Sequence, residues 1–408
     1  MVFGINSFLN KKDILIFIIG LFSLIKIRVL GTFSISELLI FSLYFFSVNP
    51  FIWLKNKGMI NLFLATLLWL AGVFLSDRYN GSNLIDSLKG FFNVFFLLLL
   101  IPFVYWALYD KPHRMLYFWI GNAISSLISF YIQKSVNLDE IGFEVWRVYA
   151  WYYPFIVLSG ILYYKGKTIL SCIVIEGFAI WSLFNLSRNI FLTVTVSVCL
   201  ILFIHNITKY DLATKISTYK HQSIKLLFVL AIALLGISTT YEYLASNKIL
   251  GERAYTKYYM QKHSKLGMAS GRGDFIQSLY LVSQKPIMGY GSYAKDNNQL
   301  LEDYYKSNGM IYNSSKLHDK MLPGHSYLMG SWVYSGILGF IFWIYIIFQI
   351  VKYSREGLLY DTQLVGINTL LTFATLWNIF FSPFADRLNF LFYIIMVILT
   401  IKTKEKYA

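Results

Sequence analysis

One histidine and three arginines are the side chains of this chain that are best suited to chemistry. His325 stands directly before a long apolar segment, and Arg272 lies between two glycines in the run Ser270–Asp274. An imidazole titrates near neutral pH and is suited to taking a proton from an alcohol. A planar guanidinium binds phosphate oxygens in pairs, which a lysine cannot match. These are the residue types needed for chemistry on a hydroxyl group beside a phosphate.

The other two arginines, Arg147 and Arg188, lie close to apolar blocks. Arg188 belongs to a Ser-Arg-Asn run between two such blocks, with almost no loop around it. An arginine at that depth is costly unless it faces a cavity or a partner. Two alternatives to a phosphate site stay open for Arg188: it snorkels to the interface, or it pairs with a carboxylate such as Asp386. For Arg147, a local ion pair with Glu144 is the corresponding alternative.

A polar and basic stretch, residues 241–325, interrupts the otherwise apolar chain. Insertions of this length are commonly functional. Apolar residues recur at helical spacing over 276–282, so we expect a helix with Asp274 as its N-cap and Pro286 as its stop. Arg272 would then stand beside the free N–H groups of a helix N-terminus, and the two together would form an anion site. A simple turn at the Gly-Arg-Gly run is the alternative.

The later part of this stretch, residues 292–322, is rich in tyrosine, asparagine and mixed charge. Its tyrosine rings are able to stack on sugar faces, and ordinary interfacial packing is the alternative. Two more histidines of the polar stretch lack a setting like that of His325, so we rank them below it. The tyrosines are Tyr293, Tyr304, Tyr305 and Tyr312, and the histidines are His263 and His318.

Composition predicts an all-α integral membrane protein. Of the 408 residues, 57% are hydrophobic, 19% are aromatic and only 14% are charged. The apolar residues come in blocks of about 20, the length of a helix that crosses a bilayer. We expect about twelve spans, of which the first two are the least regular because Lys26 and Arg28 interrupt the pattern. The predicted spans are 14–31, 35–53, 58–76, 87–108, 115–133, 149–164, 168–186, 189–206, 225–240, 326–351, 364–384 and 387–401.

The charge pattern predicts how the chain is oriented in the membrane. The net charge of +15 does not indicate nucleic-acid binding, since no basic stripe alternates with aromatics on a soluble domain. Cytoplasmic loops of membrane proteins are rich in lysine, which places both termini in the cytoplasm and the polar stretch outside. We therefore expect a bundle of nine spans in 1–240, a large, partly helical periplasmic loop in 241–325, and three spans with a cytoplasmic tail in 326–408.

A metal-dependent mechanism is disfavoured. The chain has 21 acidic residues against 36 lysines and arginines, and the acidic residues are scattered rather than clustered as oxygen ligands. It contains no Walker loop, dinucleotide fingerprint or His-Glu-x-x-His motif. Cys172 and Cys199 lie in apolar blocks and are interpreted as small core residues. We predict no metal and no cofactor.

Three short elements appear in a fixed order in the second half of the chain. They are Ser187-Arg188-Asn189, then Gly271-Arg272-Gly273-Asp274 with Pro286-Ile287-Met288-Gly289-Tyr290-Gly291, then His325-Ser326 followed nine residues later by Gly336-Ile337-Leu338-Gly339. The ordered set resembles the signature of the O-antigen ligase and O-antigen polymerase superfamily. Asn189 departs from the glycine that is usual in the first element.

The resemblance implies an inverting, integral-membrane (GT-C-like) glycosyltransferase of the bacterial inner membrane. Such an enzyme takes a glycan from undecaprenyl diphosphate at the periplasmic face, without a metal or a nucleotide sugar. In the polymerase the acceptor is another lipid-linked repeat unit, and in the ligase it is lipid A–core. We favour the polymerase, because the Gly-Arg-Gly block looks closer to that branch, and the ligase is the alternative. A chain-length regulator protein is a further implied partner.

The resemblance also implies roles for particular residues. His325 would be the general base, and Arg272 and Arg188 would stabilise the diphosphate leaving group. The implied substrate contacts are Arg147, Gly271, Gly273, Asp274, Ser326 and Tyr293.

Two other classes of protein compete with the enzyme. A flippase for the same lipid-linked glycans would fit the number of spans, but transporters usually show repeat symmetry and a site near the membrane midplane. A purely structural membrane protein would leave the outward-facing arginines unexplained.

Overall fold

The fold of this chain, given by a computed structural model, is built almost entirely from α-helices. The structure describes residues 10–28, 32–44, 51–133, 140–185, 187–207, 236, 239–262, 273–296, 299–307, 321–354, 364–382, 384 and 386–407. Its helices are α1 (Lys11–Phe22), α2 (Ile35–Tyr44), α3 (Lys57–Asn80), α4 (Leu84–Leu108), α5 (Met115–Gln133), α6 (Glu140–Tyr164), α7 (Thr168–Phe184), α8 (Arg188–Ile207), α9 (Glu252–Lys262), α10 (Gly273–Gln284), α11 (Leu300–Ser307), α12 (Tyr327–Lys352), α13 (Val365–Phe381) and α14 (Arg387–Tyr407).

Several of these helices are long and apolar enough to cross a membrane. Within the described residues, five meet both criteria: α3, α4, the segment Pro112–Ile132 that contains most of α5, α8 as far as Asn206, and α12. Three further apolar helices are shorter: α7, α13 and the first part of α14. The chain is therefore an all-α protein with the helices of a membrane protein. The count of twelve spans stays a prediction, and most of the predicted span 225–240 lies outside the described residues.

The continuous span predicted over 14–31 is wrong. Helix α1 ends at Phe22, and the strand β1 (Lys26–Arg28) then pairs antiparallel with β2 (Thr32–Ser34). A 12-residue helix is about 18 Å long, well short of the roughly 30 Å of a bilayer core. The charge of Lys26 explains the break, because its ammonium group is paired with Asp386 at 2.8 Å instead of lying in an apolar span.

Helices α3 and α12 form an antiparallel pair in the middle of the bundle. In the centre of the pair Trp69 stacks on Phe342, with ring centroids 4.8 Å apart. Near the end of α3, Asn80 donates to the carbonyl of Gly289, which lies against Val333 close to the start of α12. The end of α3 and the beginning of α12 therefore meet at one end of the bundle, which we call the His325 end.

The starts of α6 and α8 lie at the same end. Tyr163, in the last turn of α6, packs against Gly366 at the start of α13, while Ile379 near the end of α13 accepts a hydrogen bond from Ser326. Helix α6 therefore begins at the His325 end, and α8 begins beside it because Asn189 donates to the hydroxyl of Tyr149. Several lysines at the other ends of the long helices lie opposite the His325 end. They are Lys57 at the start of α3, Lys111 after α4, Lys165 after α6, Lys167 before α7 and Lys352 at the end of α12.

A buried arginine holds helices together at that opposite end. Arg114 is 1% exposed and donates to Asp13 at 2.6 Å and to Asp110 at 2.5 Å. Lys12 also binds Asp110, at 3.1 Å. Burial raises the pKa of Asp110, but hydrogen bonds from Arg114 and Lys12 outweigh it and leave that pKa below its usual value. Arg114 therefore joins the start of α1, the end of α4 and the start of α5.

A break in α12 at Gly336 receives the loop 286–291. Gly336 has φ 67° and ψ −159°, a conformation that is essentially restricted to glycine. The loop supplies the hydrogen bonds that the helix loses: Tyr290 donates to Val333 at 2.7 Å, and Ile337 donates to Ile287 at 2.9 Å. The two glycine-containing elements of the signature, far apart in sequence, therefore bind each other.

We predict that Gly336→Ala strongly destabilises the protein. The new Cβ would lie 2.0 Å from the carbonyl oxygen of Ile287, and the backbone strain alone costs roughly 1–3 kcal/mol. The thermal unfolding midpoint of the purified protein in detergent measures the effect. Gly177→Ala is the matched control, because that helical glycine has nothing within 4 Å of its added Cβ. Equal midpoints for the two variants would contradict the proposed docking.

Candidate functional site

A cavity of about 500 Å³ opens at the His325 end, between α3, α4, α10 and α12. We call it the first cavity. Four of the residues singled out from the sequence line it: Asp274, Tyr293, His325 and Ser326. Its lining also includes residues that the sequence did not single out, among them Trp69, Asn93, Ser292, Tyr334 and Phe384. The volume lies within the roughly 300–1,000 Å³ range of ligand-binding pockets.

His325 and Asp274 form a pair in this cavity. The imidazole Nδ1 of His325 lies 3.2 Å from a carboxylate oxygen of Asp274, and the side chains are 65% and 47% exposed. A carboxylate on Nδ1 fixes the ring orientation and leaves Nε2 for a substrate, as in other His–carboxylate pairs. The expected N-cap role of Asp274 is wrong, because α10 begins at Gly273 and Asp274 lies in its first turn. Its carboxylate faces the histidine instead.

Ser326 fixes the start of α12 rather than presenting its hydroxyl to the cavity. Its Oγ accepts from the N–H of Met329 at 3.0 Å and donates to the carbonyl of Ile379 at 2.9 Å. The side chain is buried, and Ser326 is the N-cap of the helix. Serine is one of the favoured N-cap residues. Ser326 therefore positions His325 and anchors α12 to α13.

The loop that brings Tyr293 to the cavity is held by α3. The carboxylate of Asp77, buried in α3, accepts from both the N–H and the hydroxyl of Ser292, the latter at 2.9 Å. The N–H of Gly291 donates to Ser76 at 3.0 Å. Burial raises the pKa of Tyr290 to about 12, so its hydroxyl stays protonated and donates to Leu281 at 3.1 Å.

Two cations near the first cavity were missed by sequence reasoning. The ammonium group of Lys89, in the second turn of α4, lies 5.7 Å from the ring centroid of Tyr293 and 3.0 Å from Asp86. Arg387 is buried behind the cavity, where it binds Glu37 through two nitrogens at 2.7 and 2.9 Å and donates to Asn93 at 2.6 Å. The sequence signal that could have pointed to Lys89 is its position near the outer start of the predicted span 87–108.

Arg147 and Arg188 lie together at a second place on the same end of the bundle. Arg147 donates from Nη2 to Asn185 at 2.6 Å, and the guanidinium of Arg188 lies 4.6 Å from the ring centroid of Tyr241. The Nε of Arg147 and the hydroxyl of Ser187 are buried without a hydrogen-bond partner among the described residues. We call this group, Arg147, Ser187 and Arg188, the arginine corner.

The structure thus divides the predicted site residues into two groups. Asp274, Tyr293, His325 and Ser326 share the first cavity, whereas Arg147 and Arg188 are not among its lining residues. Gly273 begins α10, one residue before Asp274. Arg272 and Gly271 lie outside the described residues, as do His263, His318 and Tyr312.

The structure bears on two alternatives raised from the sequence: the pairing of Arg188 with Asp386, and the packing of Tyr304. Asp386 is paired with Lys26, whereas Arg188 packs on Tyr241. Tyr304 is 4% exposed and packs on Tyr280 with ring centroids 5.4 Å apart, so its predicted role in stacking on sugars is wrong. Its contacts are those of a core residue.

Comparison with known proteins adds no family assignment. No protein-family model matches the chain, and no curated protein matches it. Within the described part of the chain, no group of three or more histidine, cysteine, aspartate or glutamate side chains could hold a metal ion. A function for this site therefore rests on the residues of the site itself.

We predict that Ser326→Ala lowers the free energy of unfolding by about 0.5–2 kcal/mol, the usual cost of losing an N-cap. Ser326→Asn retains a capping oxygen and should lose less. Chemical or thermal unfolding of the purified variants measures both. Ser283→Ala is the control, because the hydroxyl of that exposed serine donates to the carbonyl of Tyr280 within the same helix. A Ser326→Asn variant as unstable as Ser326→Ala would contradict the capping role.

Proposed function

We propose that this protein is an O-antigen polymerase, an inverting glycosyltransferase that moves a growing glycan from undecaprenyl diphosphate onto a lipid-linked repeat unit. The observation that supports the proposal best is the pair of His325 and Asp274 in an open cavity at one end of a membrane-type helical bundle. A glycosyl acceptor is an alcohol, and it reacts faster when a positioned base accepts its proton. Asp274 is then a positioning residue for His325.

The arginine corner supplies the second requirement of the reaction, which is to stabilise the leaving diphosphate. Arg147 and Ser187 each have a buried polar atom without a partner among the described residues, and Arg188 lies beside them. Unsatisfied buried donors of this kind are costly unless a ligand binds them. A guanidinium binds phosphate oxygens bidentately and stabilises the negative charge that develops as the glycosidic bond breaks.

The orientation of the bundle fits this proposal. The lysine-rich helix ends lie opposite His325, and the positive-inside rule would place them in the cytoplasm. The first cavity and the arginine corner would then face the periplasm of a bacterial inner membrane, where lipid-linked repeat units are joined. In this view the acceptor sugar enters the first cavity and the diphosphate binds at the arginine corner.

The proposed transfer step assigns a role to each group of residues. The acceptor hydroxyl attacks the anomeric carbon of the donor from the face opposite the diphosphate, which inverts the configuration. The oxygen–carbon bond to the acceptor forms as the bond to the diphosphate oxygen breaks. His325 takes the proton of the hydroxyl on Nε2, and the electron pair leaves with undecaprenyl diphosphate, whose charge the arginines stabilise. No metal enters this scheme.

We predict that His325→Ala lowers the rate of glycan transfer by about 10²–10⁴-fold, the usual contribution of a general base. Asp274→Asn should lower it less, because the base remains but is no longer oriented. The measurement is the conversion of lipid-linked repeat units to polymer by the purified protein in liposomes. His205→Ala, in α8, is the control variant. Wild-type turnover by folded His325→Ala protein would rule out this base.

A second experiment distinguishes the polymerase from the ligase. Loss of a polymerase should leave lipid A–core that carries single repeat units, whereas loss of a ligase should leave bare core and polymer still attached to the lipid carrier. Gel analysis of lipopolysaccharide from a deletion strain, with a His325→Ala strain as the point-mutant counterpart, shows which pattern occurs. Bare core in both strains would favour the ligase. An unchanged pattern in both would rule out both functions.

A further inference from the structure

A second cavity, of about 240 Å³, lies at the His325 end between the end of α1, α5 and α6. We call it the second cavity. Lys26 and Asp386 meet at its edge in an ion pair of 2.8 Å, and their side chains are about one third exposed. Ser126, Ser129 and Tyr149 also line it. His325, Arg147 and Arg188 are not among its described lining residues.

The second cavity offers both donors and acceptors of hydrogen bonds. The hydroxyl of Tyr149 accepts from Asn189 at 2.8 Å and keeps its own proton for a ligand. The serine hydroxyls donate to backbone carbonyls, Ser126 at 2.8 Å and Ser129 at 3.4 Å, so their lone pairs remain as acceptors. The carboxylate of Asp386 has further acceptor sites beyond the oxygen that Lys26 occupies.

This pattern favours a neutral polyol over an anion. A phosphate only accepts hydrogen bonds, and the Lys26–Asp386 pair has no net charge to attract it. A sugar hydroxyl both donates and accepts, and the apolar face of a sugar ring packs on an aromatic side chain such as Tyr149. The volume is below the roughly 300–1,000 Å³ of pockets for drug-sized ligands, which suits one ring rather than an oligosaccharide.

A third, smaller space shares lining residues with both cavities. This narrow space, of about 50 Å³, shares Tyr153 and Asp386 with the second cavity and Tyr327 with the first. Tyr153 is held in place by Asn389, which donates to its hydroxyl at 3.2 Å. Asn389 in turn accepts from Asn122 at 2.9 Å. The side chains that line this narrow space are therefore held by hydrogen bonds.

We propose that the second cavity is a saccharide subsite that binds one neutral hexose-type ring of a lipid-linked substrate. The identity of the substrate rests on the proposed function, whereas the hexose site rests on the cavity itself. The subsite holds a ring of the glycan away from the reacting centre, while the first cavity holds the ring that reacts.

Binding of neutral sugars to the purified protein in detergent tests this proposal. The probes are the methyl glycosides of glucose, galactose and mannose, with methyl glucoside 6-phosphate as the charged comparison, and the readout is saturation-transfer difference NMR. We expect the neutral glycosides to give signals. These signals should persist when the phosphate derivative is added as a competitor. The signals should weaken severalfold in Ser129→Trp, which fills the second cavity, and in Tyr149→Ala, which removes a stacking ring. Any signal left in Ser129→Trp would come from a sugar bound in the first cavity.

Two matched controls carry the same changes elsewhere. Ser246→Trp and Tyr243→Ala alter exposed side chains in the helical residues 239–246 and should leave the signals unchanged. If Ser129→Trp does not fold, Tyr149→Ala decides, because Tyr149 is 43% exposed and its loss leaves the core intact. Absence of signals in the wild-type protein, stronger binding of the phosphate derivative, or unchanged signals in both cavity variants would overturn the proposal.

The same samples separate this inference from the proposed function. Hexoside binding that depends on the second cavity, in a protein that makes no polymer from lipid-linked repeat units, would keep the subsite and reject the polymerase. Polymer formation without such binding would keep the polymerase and reject the subsite.

Discussion

The insertion of the loop 286–291 into the break of α12 is the contact on which the site depends. A helix that breaks at Gly336 leaves backbone groups without partners, and inside a membrane protein each such group is costly. Tyr290 and Ile287 supply those partners, so the loop and the helix stabilise each other. The same loop leads directly to Ser292 and Tyr293, which line the first cavity. Gly289 and Gly336 are thus explained by close backbone contact, because an added Cβ at either would meet a backbone carbonyl of the other segment.

Electrostatics organises the two ends of the bundle differently. At the end opposite the site, Arg114 is neutralised by two aspartates and serves packing. At the His325 end the cations are distributed among separate partners: Arg387 binds Glu37, Lys26 binds Asp386, and Arg147 keeps one buried nitrogen without a partner among the described residues. Removing one member of a buried ion pair is strongly destabilising, so the loss of either Arg387 or Glu37 would destabilise the fold. An incompletely satisfied arginine has its remaining hydrogen-bonding capacity available to a ligand.

Much of this architecture followed from the sequence, and the failures have physical causes. The helices of the long apolar blocks were predictable because their length and composition match a membrane span. The span predicted over 14–31 failed because Lys26 finds a carboxylate 360 residues away, a contact that no local pattern records. His325 and Tyr293, singled out from the sequence, both line the first cavity. The pairing of His325 with Asp274 and the cavity beside Lys26 depend on segments packing across long sequence separations, so they could be seen only in the fold.

The exposure of His325 has a consequence for the size of the product. The side chain of His325 is 65% exposed, so it lies in a cavity that is open to solvent rather than enclosed. Such an opening can act on the end of a molecule while the remainder extends freely into bulk water. Under the proposed function, the site would form the same bond whether the attached glycan is short or long. If the protein elongates a polymer, the final length must be set by kinetics or by a separate component, not by the dimensions of this site.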